Sequence, residues 1–281
     1  MNELSDEHIN DEYFKSSGRK KLEDLIFQKD LSNAVFHHQY FIRVSGKNLT
    51  FKKVNFSHSY FENCYFRNIN FDSCNFTGCK FVNCNFPKSS FEGCNFEYAN
   101  FEKTFIDNEI LDYNCPSQNN LTLKFARSLR VNFQSIGEAE SVNKAIRIEL
   151  KATKRYLFEA WHSKAAYYRK KYKGWNRVEM FFKWIYFRLQ DFIWGNGESA
   201  KKLILTGLYF WLVFSCIHVY WFENPNLLSD YWKSFISLPS IFMGVDKPKP
   251  YPEFLLTLIT ILRFIFFALF TSIIIKRYNK R

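Results

Sequence analysis

From residue 51 to residue 101 a phenylalanine returns every fifth position without a slip: Phe51, Phe56, Phe61, Phe66, Phe71, Phe76, Phe81, Phe86, Phe91, Phe96 and Phe101. A helix repeats near 3.6 residues and a strand at 2, so neither sustains a period of five. The residue two before each Phe is usually small, as at Ser59, Cys64, Cys74, Cys79, Cys84, Ser89, Cys94 and Ala99. The residue directly before it is often Asn, as at Asn55, Asn70, Asn75, Asn85, Asn95 and Asn100. So long a fixed repeat implies a solenoid, in which each unit buries its apolar residue only against its neighbours. Phe56, Phe66, Phe71, Phe76, Phe81 and Phe86, with Cys74 and Cys84, are the expected dry core.

This order of small residue, Asn, central Phe and two variable residues resembles the pentapeptide-repeat family. The resemblance implies a right-handed quadrilateral β-helix, with four units per coil and both the Phe and the small residue pointing inward. Phe36 and Phe41 are in phase, Gly46 holds the next slot, and Ala34 is in phase as a small residue. The solenoid is therefore expected over 32–111, as four coils each rising ~4.8 Å. Stacked coils expose backbone at both ends. Residues 1–31, with a short helix near 20–27, and the helices after 117 are the expected caps.

Soluble members of the family include DNA mimics that bind topoisomerases through a strongly acidic face. Here the outward positions are Lys52, Ser57, Glu62, Arg67, Asp72, Thr77, Val82, Pro87, Glu92, Glu97 and Glu102, and the net charge over 47–117 is −1. Mimicry of a phosphate backbone needs a sustained negative field, which this mixed surface lacks. A rigid spacer or a docking surface for a protein partner fits better.

Five of the seven cysteines, Cys64, Cys74, Cys79, Cys84 and Cys94, fall on the small inward position. Buried there as small hydrophobes, they predict free thiols and a reducing compartment rather than disulfides or a metal. Residues 1–30 are polar and acidic, so no signal peptide is expected.

The net charge of +12 is concentrated in 118–202, which carries +11. From about 119 the spacing turns helical: Leu123, Ala126, Leu129 and Phe133 share a face, and Val142, Ala145, Ile146, Leu150 and Leu157 continue it after Gly137. A basic helical hairpin is expected over 118–173. Residues 127–133 with Ile136-Gly137-Glu138 resemble the hairpin that follows the repeat in a membrane-bound branch of the family. The aromatics interleaved with Lys and Arg at 166–172 suit single-stranded nucleic acid or a membrane interface. The apolar segments C-terminal to them favour the membrane, so anionic lipid headgroups are the expected partner and nucleic acid is not.

Trp175–Trp194 is rich in Phe and Trp with few charges and reads as an amphipathic helix lying in the membrane interface. Trp175, Lys183, Trp184, Arg188 and Trp194 are its expected interface residues. Gly195-Asn196-Gly197-Glu198 resembles the link before the first span in the same branch. Residues 203–222 and 254–275 are each long and apolar enough to cross a hydrocarbon core of about 30 Å. Lys201 and Lys202 precede the first span, and Lys276, Arg277, Lys280 and Arg281 follow the second. The positive-inside rule then predicts an inner (plasma) membrane protein with both termini cytoplasmic.

The membrane module is thus 203–281, with a re-entrant-like loop at 223–253. Its layout of span, short helix around 231–238, loop and span resembles the two-span pore module of potassium channels. That resemblance makes Ser240, Met243, Gly244 and Asp246 the filter positions, with Thr260 and Arg263 on the facing span. A potassium filter stacks backbone carbonyls and needs several glycines. Only Gly244 is present, so potassium selectivity is not expected. A cation near mid-span is costly. Arg263 shares a side with Thr257, Thr260 and Thr271, which reads as pore-lining, or alternatively as an internal or snorkelling charge.

No Cys/His/Asp group has ligand spacing and no nucleophile motif appears, so neither an enzyme nor a cofactor or metal is expected. The reading is an oligomeric, channel-like membrane protein, a tetramer by analogy, with a cytoplasmic solenoid that senses or docks. A non-conducting membrane-anchored scaffold is the alternative. A topoisomerase-binding DNA mimic is a third, which the two spans argue against.

Overall fold

The computed structural model describes residues 18–248 and 251–278. Lys280 and Arg281, two of the cations after the second span, lie outside the described residues. So do residues 1–17 of the expected N-terminal cap. The chain divides into two compact units, Met1–Lys171 and Tyr172–Arg281.

The first unit is a β-solenoid of about four turns followed by helices. Three ladders of parallel strands form its faces. The first holds β1 (Lys20–Glu23), β4 (Gln39–Ile42), β7 (Tyr60–Glu62), β10 (Lys80–Val82) and β12 (Asn100–Glu102). The second holds β2 (Ile26–Phe27), β5 (Ser45–Lys47) and β8 (Tyr65–Arg67). The third holds β3 (Leu31–Ser32), β6 (Thr50–Lys52), β9 (Asn70–Asp72) and β11 (Ser90–Glu92). A fourth face is made of single bridges, Val35 to Asn55 to Asn75 to Asn95. Phe41 pairs with Phe61, Phe61 with Phe81 and Phe81 with Phe101, so one coil consumes four five-residue units.

Each face bends into the next at the second residue after the Phe. His38, Arg43, Asn48, Lys53, His58, Asn63, Asn68 and Ser73 all hold φ between 50 and 58° there, and Gly78 and Gly93 take the same turn. Asn and Gly tolerate this left-handed region, whereas Lys and Arg cost about 1–2 kcal/mol in it. The ladder offsets that cost, because each of these corner N–H groups from His38 to Gly78 donates to a carbonyl one coil on, as Lys53 does to Asp72 at 2.8 Å.

Inside, the rings stack in columns. Phe41 and Phe61 lie 4.6 Å apart and 4° from parallel, Phe71 and Phe91 4.8 Å and 3°, and Phe76 and Phe96 5.0 Å and 10°. Each fully buried ring contributes about 1.5–3 kcal/mol relative to exposure. Gly46 breaks the series because Ile69, Leu49 and Phe27 already fill its slot, and a Cβ there would meet Ile69 Cδ1 at 3.1 Å.

Four expectations are corrected. The solenoid begins at β1, near residue 20 rather than 32, and residues 20–27 are strands, not a helix. Leu22 stacks under Phe41 and Phe27 under Gly46, a register of nineteen residues, and the register becomes twenty at Leu31 and Phe51. One residue is therefore missing between Phe27 and Leu31, and the five-residue beat is out of phase before that point. At the other end the last ladder residue is Phe105 rather than one near 111, because 110–113 closes into the helical turn α1 (Ile110–Tyr113). Ser57, expected to face outward, is buried and its hydroxyl meets His37 Nδ1 at 2.8 Å.

The last coil is capped by side chains. In α2 (Asn119–Ser135), Ser128 Oγ accepts from the Phe101 N–H at 3.0 Å and donates to Asn100 at 2.7 Å. Asn132 accepts from the Thr104 N–H and donates to the Thr104 carbonyl, each at 2.7 Å. Asn114 does the same between Cys94 N–H and the Phe91 carbonyl, each at 2.9 Å. Phe125 seats its ring on Phe96 and Phe101. A strand edge is thereby closed without another strand. Gly137, at φ +79°, turns the chain into α3 (Ala139–His162), and Arg127 and Arg130 of α2 both bind Glu149 of α3. The short α4 (Ala166–Lys171) ends this unit.

The second unit holds four helices: α5 (Trp175–Trp194), α6 (Ala200–Phe222), α7 (Leu228–Met243) and α8 (Glu253–Tyr278). Helices α6 and α8 are long and apolar enough to span a membrane, and most of their surface is open within this unit. Gly207 brings them together: a Cβ there would lie 3.1 Å from the Phe266 ring.

Candidate functional site

The segment between the spans is built on α7, which is sixteen residues long and takes in Ser240 and Met243, beyond the short helix expected at 231–238. Two contacts fix it. Ser215 of α6 donates its hydroxyl to the Tyr231 carbonyl at 3.1 Å, and the buried Tyr251 meets His218 of α6 at 2.9 Å. At the C-terminal end of α7, Gly244 adopts φ +79° and the Val245 N–H returns to the Ser240 carbonyl at 2.9 Å. This left-handed glycine closure is the usual way a helix stops.

The carbonyl of the last helical residue is taken by Arg263 of α8, whose Nη1 donates to the Met243 oxygen at 2.7 Å. The guanidinium adds a positive charge where the helix macrodipole leaves about half a negative one. A Cβ at 244 would sit 2.3 Å from Nη1, so a side chain there would displace the guanidinium from this position. The contact thus accounts for the lone glycine of this loop. Gly244 is a cap and a clearance, with no run of flexible carbonyls around it.

Of the six positions predicted around a filter, the structure brings together three, Met243, Gly244 and Arg263. Ser240 donates its hydroxyl to Ser237, one turn back on its own helix, at 2.8 Å. Asp246 lies exposed beyond the cap. Thr260 donates to the Leu256 carbonyl at 2.9 Å, and Thr257 and Thr271 likewise bond one turn back. The polar side of α8 therefore satisfies its hydroxyls within the helix, as Thr does in apolar surroundings. Sequence reading missed Met243 as the arginine's partner, because a backbone carbonyl leaves no mark in the residue string.

Of the expected interface residues in α5, Trp175 is fully open, Lys183 is exposed and paired with Glu179 at 2.6 Å, and Arg188 is exposed. Trp184 and Trp194 are half-buried instead, on the sides of the helix away from its most open face.

The solenoid's small residues also have a chemical task. Cys74 donates its thiol to the Phe51 carbonyl at 3.1 Å, Cys79 to Phe56 at 3.0 Å and Cys94 to Phe71 at 3.2 Å. Ser59 and Ser89 do the same to Phe36 and Phe66, at 2.8 and 2.9 Å. Where the position holds cysteine or serine the side chain adds a donor, weak for cysteine and stronger for serine, whereas Val54, Ile69 and Ala99 fill it by packing alone. Burial pushes the Cys79 thiol up to about 12, so it stays protonated and unreactive. All seven cysteines are free. Outward charges pair with opposite charges one coil away, Lys52 with Asp72 at 3.4 Å and Lys80 with Glu102 at 3.5 Å. Among the described residues no group of His, Cys, Asp or Glu is placed to hold a metal.

Residues 30–110 match the family model described as a pentapeptide repeat region. No curated protein sequence matches the chain. Among solved structures, the pentapeptide repeat protein Rfr23 from the cyanobacterium Cyanothece 51142 is 15% identical, with a TM-score of 0.27, over 34% of this chain and 80% of that one. HetL from Nostoc sp. strain PCC 7120, titled as involved in regulating heterocyst differentiation, is 18% identical, with a TM-score of 0.21, over 31% and 46%. A pentapeptide repeat protein of the Arabidopsis thaliana thylakoid lumen is 16% identical, with a TM-score of 0.16, over 35% and 75%. By its match to the family model and by its own five-residue geometry, the segment 30–110 is a pentapeptide-repeat region.

Proposed function

We propose that this chain is a membrane-anchored pentapeptide-repeat protein that displays its solenoid as a rigid docking surface and conducts no ions. The observation that carries this reading is the Arg263–Met243 contact. In a layout of span, half-helix and span, the carbonyl end of the half-helix is where a permeating cation would be stabilised. Here a guanidinium of the same chain already occupies that end. Both spans present open apolar surface suited to lipid, as at Tyr220 (72% exposed), Phe254 (79%) and Phe264 (65%). The cations flanking the spans favour a plasma membrane location with both termini cytoplasmic.

The element order α6, α7, α8 favours a second reading, an oligomeric channel-like pore in which Arg263 swings away from Met243 on opening. Reconstitution in planar bilayers under a potassium-to-sodium gradient separates the two. The anchor reading expects no current from the wild type. A wild-type cation current, or a tetramer in native mass spectrometry together with current from Arg263→Gln, would favour the pore.

A further inference from the structure

Helix α5 carries an apolar stripe that nothing within its unit covers. Trp175, Val178, Phe182, Ile185, Leu189 and Phe192 recur at intervals of three and four, and so fall on one side of a helix. Every one of them is exposed, Trp175 by 83% and Phe182 by 63%. Tyr186, exposed by 63%, widens the stripe at one edge. So large an apolar face is unstable in water, and single scattered apolar residues do not explain it.

The charges around the stripe say what covers it. By helical geometry Arg177 and Arg188 fall beyond one edge and the ion pair of Lys183 with Glu179 beyond the other, and all four are exposed. Aliphatic stems along the apolar border, with cationic heads beyond it, match the boundary between acyl chains and anionic headgroups.

The C-terminal end of α5 fixes its depth. Gly195, Asn196 and Gly197 all have positive φ, which turns the chain sharply into α6. Lys202 in the first turn of α6 binds the Asp191 carboxylate at 2.6 Å and the Asp191 carbonyl at 3.0 Å, and Thr206 donates to the Phe192 carbonyl at 3.2 Å. Glu198 of the link pairs with Lys276 near the far end of α8. The start of one span, the end of the other and the end of α5 are thus knotted at one charged rim. A helix leaving that rim with an open apolar side has lipid beside it.

We infer that α5 lies in the plane of an anionic bilayer, with the stripe from Trp175 to Phe192 immersed at the headgroup boundary and the rim that carries Arg188 toward the headgroup phosphates. Trp184 and Trp194 are on the protein side. The inference rests on the membrane-anchor reading, and its test keeps the two apart. The full chain, with Cys115→Ala and Cys216→Ala to remove the accessible native thiols, receives a nitroxide at Phe182→Cys, Leu189→Cys or, off the stripe, Asn176→Cys. The buried solenoid thiols stay unlabelled in folded protein. The protein is reconstituted in vesicles of phosphatidylethanolamine and phosphatidylglycerol and floated on a density gradient. Relaxation enhancement by oxygen, which partitions into lipid, is compared with that by a water-soluble nickel chelate.

The expected result is a ratio of oxygen to nickel accessibility severalfold higher at 182 and 189 than at 176, falling when phosphatidylglycerol is replaced by phosphatidylcholine. A chain that does not float overturns both the anchor reading and this one. A chain that floats with nickel-accessible labels at 182 and 189 overturns only the interfacial placement. Low accessibility to both reagents also overturns it and assigns the stripe to a protein surface. A ratio indifferent to phosphatidylglycerol overturns the headgroup role of the cations.

Discussion

Arg263 and Met243 stand twenty residues apart on different helices, and the guanidinium of one completes the carbonyl end of the other at 2.7 Å. Gly244 is the clearance that makes this reach available. If the contact holds α7 in place, Gly244→Ala and Arg263→Gln break the same interaction. Each is expected to destabilise the module by about 1–3 kcal/mol, the worth of a hydrogen bond from a charged group or the cost of a strained left-handed residue. The double variant is expected to lose little more than either single one. Detergent-solubilised unfolding of the three variants measures this, and fully additive losses would show that the residues act independently.

In the solenoid, Phe76 lies between Phe56 and Phe96 in one stacked column and is fully buried. Phe76→Ala is expected to cost about 3–5 kcal/mol. Phe76→Asp is expected to abolish the fold, because a charge in a dry column has no partner. Thr77→Asp, one position on and only half-buried, is expected to be tolerated. Circular dichroism and limited proteolysis distinguish the outcomes, and equal tolerance at 76 and 77 would refute the inward register.

The cap makes a separate claim. Asn132→Leu keeps the volume but orphans both the N–H and the carbonyl of Thr104, at about 1–3 kcal/mol for each buried group. Hydrogen exchange at 100–106 is expected to accelerate while the central coils stay protected. Uniform acceleration throughout the solenoid would mean that α2 stabilises the whole stack rather than its edge.

At one corner His38 packs against His37 and His58, with ring centroids at 4.1 and 5.2 Å. Desolvation by these neighbours, then repulsion from His37, His58 and Arg19, holds its pKa below the ordinary imidazole range. The unfolded chain therefore binds the proton more readily, so stability rises with pH through this window and is lost as pH falls below about 6.5. The corner is exposed, which keeps the effect small. A melting temperature compared near pH 5 and pH 7.5 is expected to drop less on acidification for His58→Gln than for the wild type.

The sequence by itself determined the solenoid between 51 and 101, because a fixed period of five fits neither helix nor strand and so long a repeat can bury its Phe only by stacking like units. It also determined the two apolar helices, whose length and composition are local properties. The coil from Lys20 to Leu31 was legible only in the register of paired strands, since one missing residue after Phe27 breaks the beat without breaking the ladder. The end cap was hidden for another reason. Ser128 and Asn132 look like ordinary helix residues until the edge they satisfy, at Phe101 and Thr104, is placed beside them. Arg263 was conspicuous in the string as a charge within a span, yet its partner is a main-chain oxygen, and main-chain atoms are the same in every residue. Only the tertiary structure, by bringing the end of α7 against α8, decided that this charge and Gly244 form one contact.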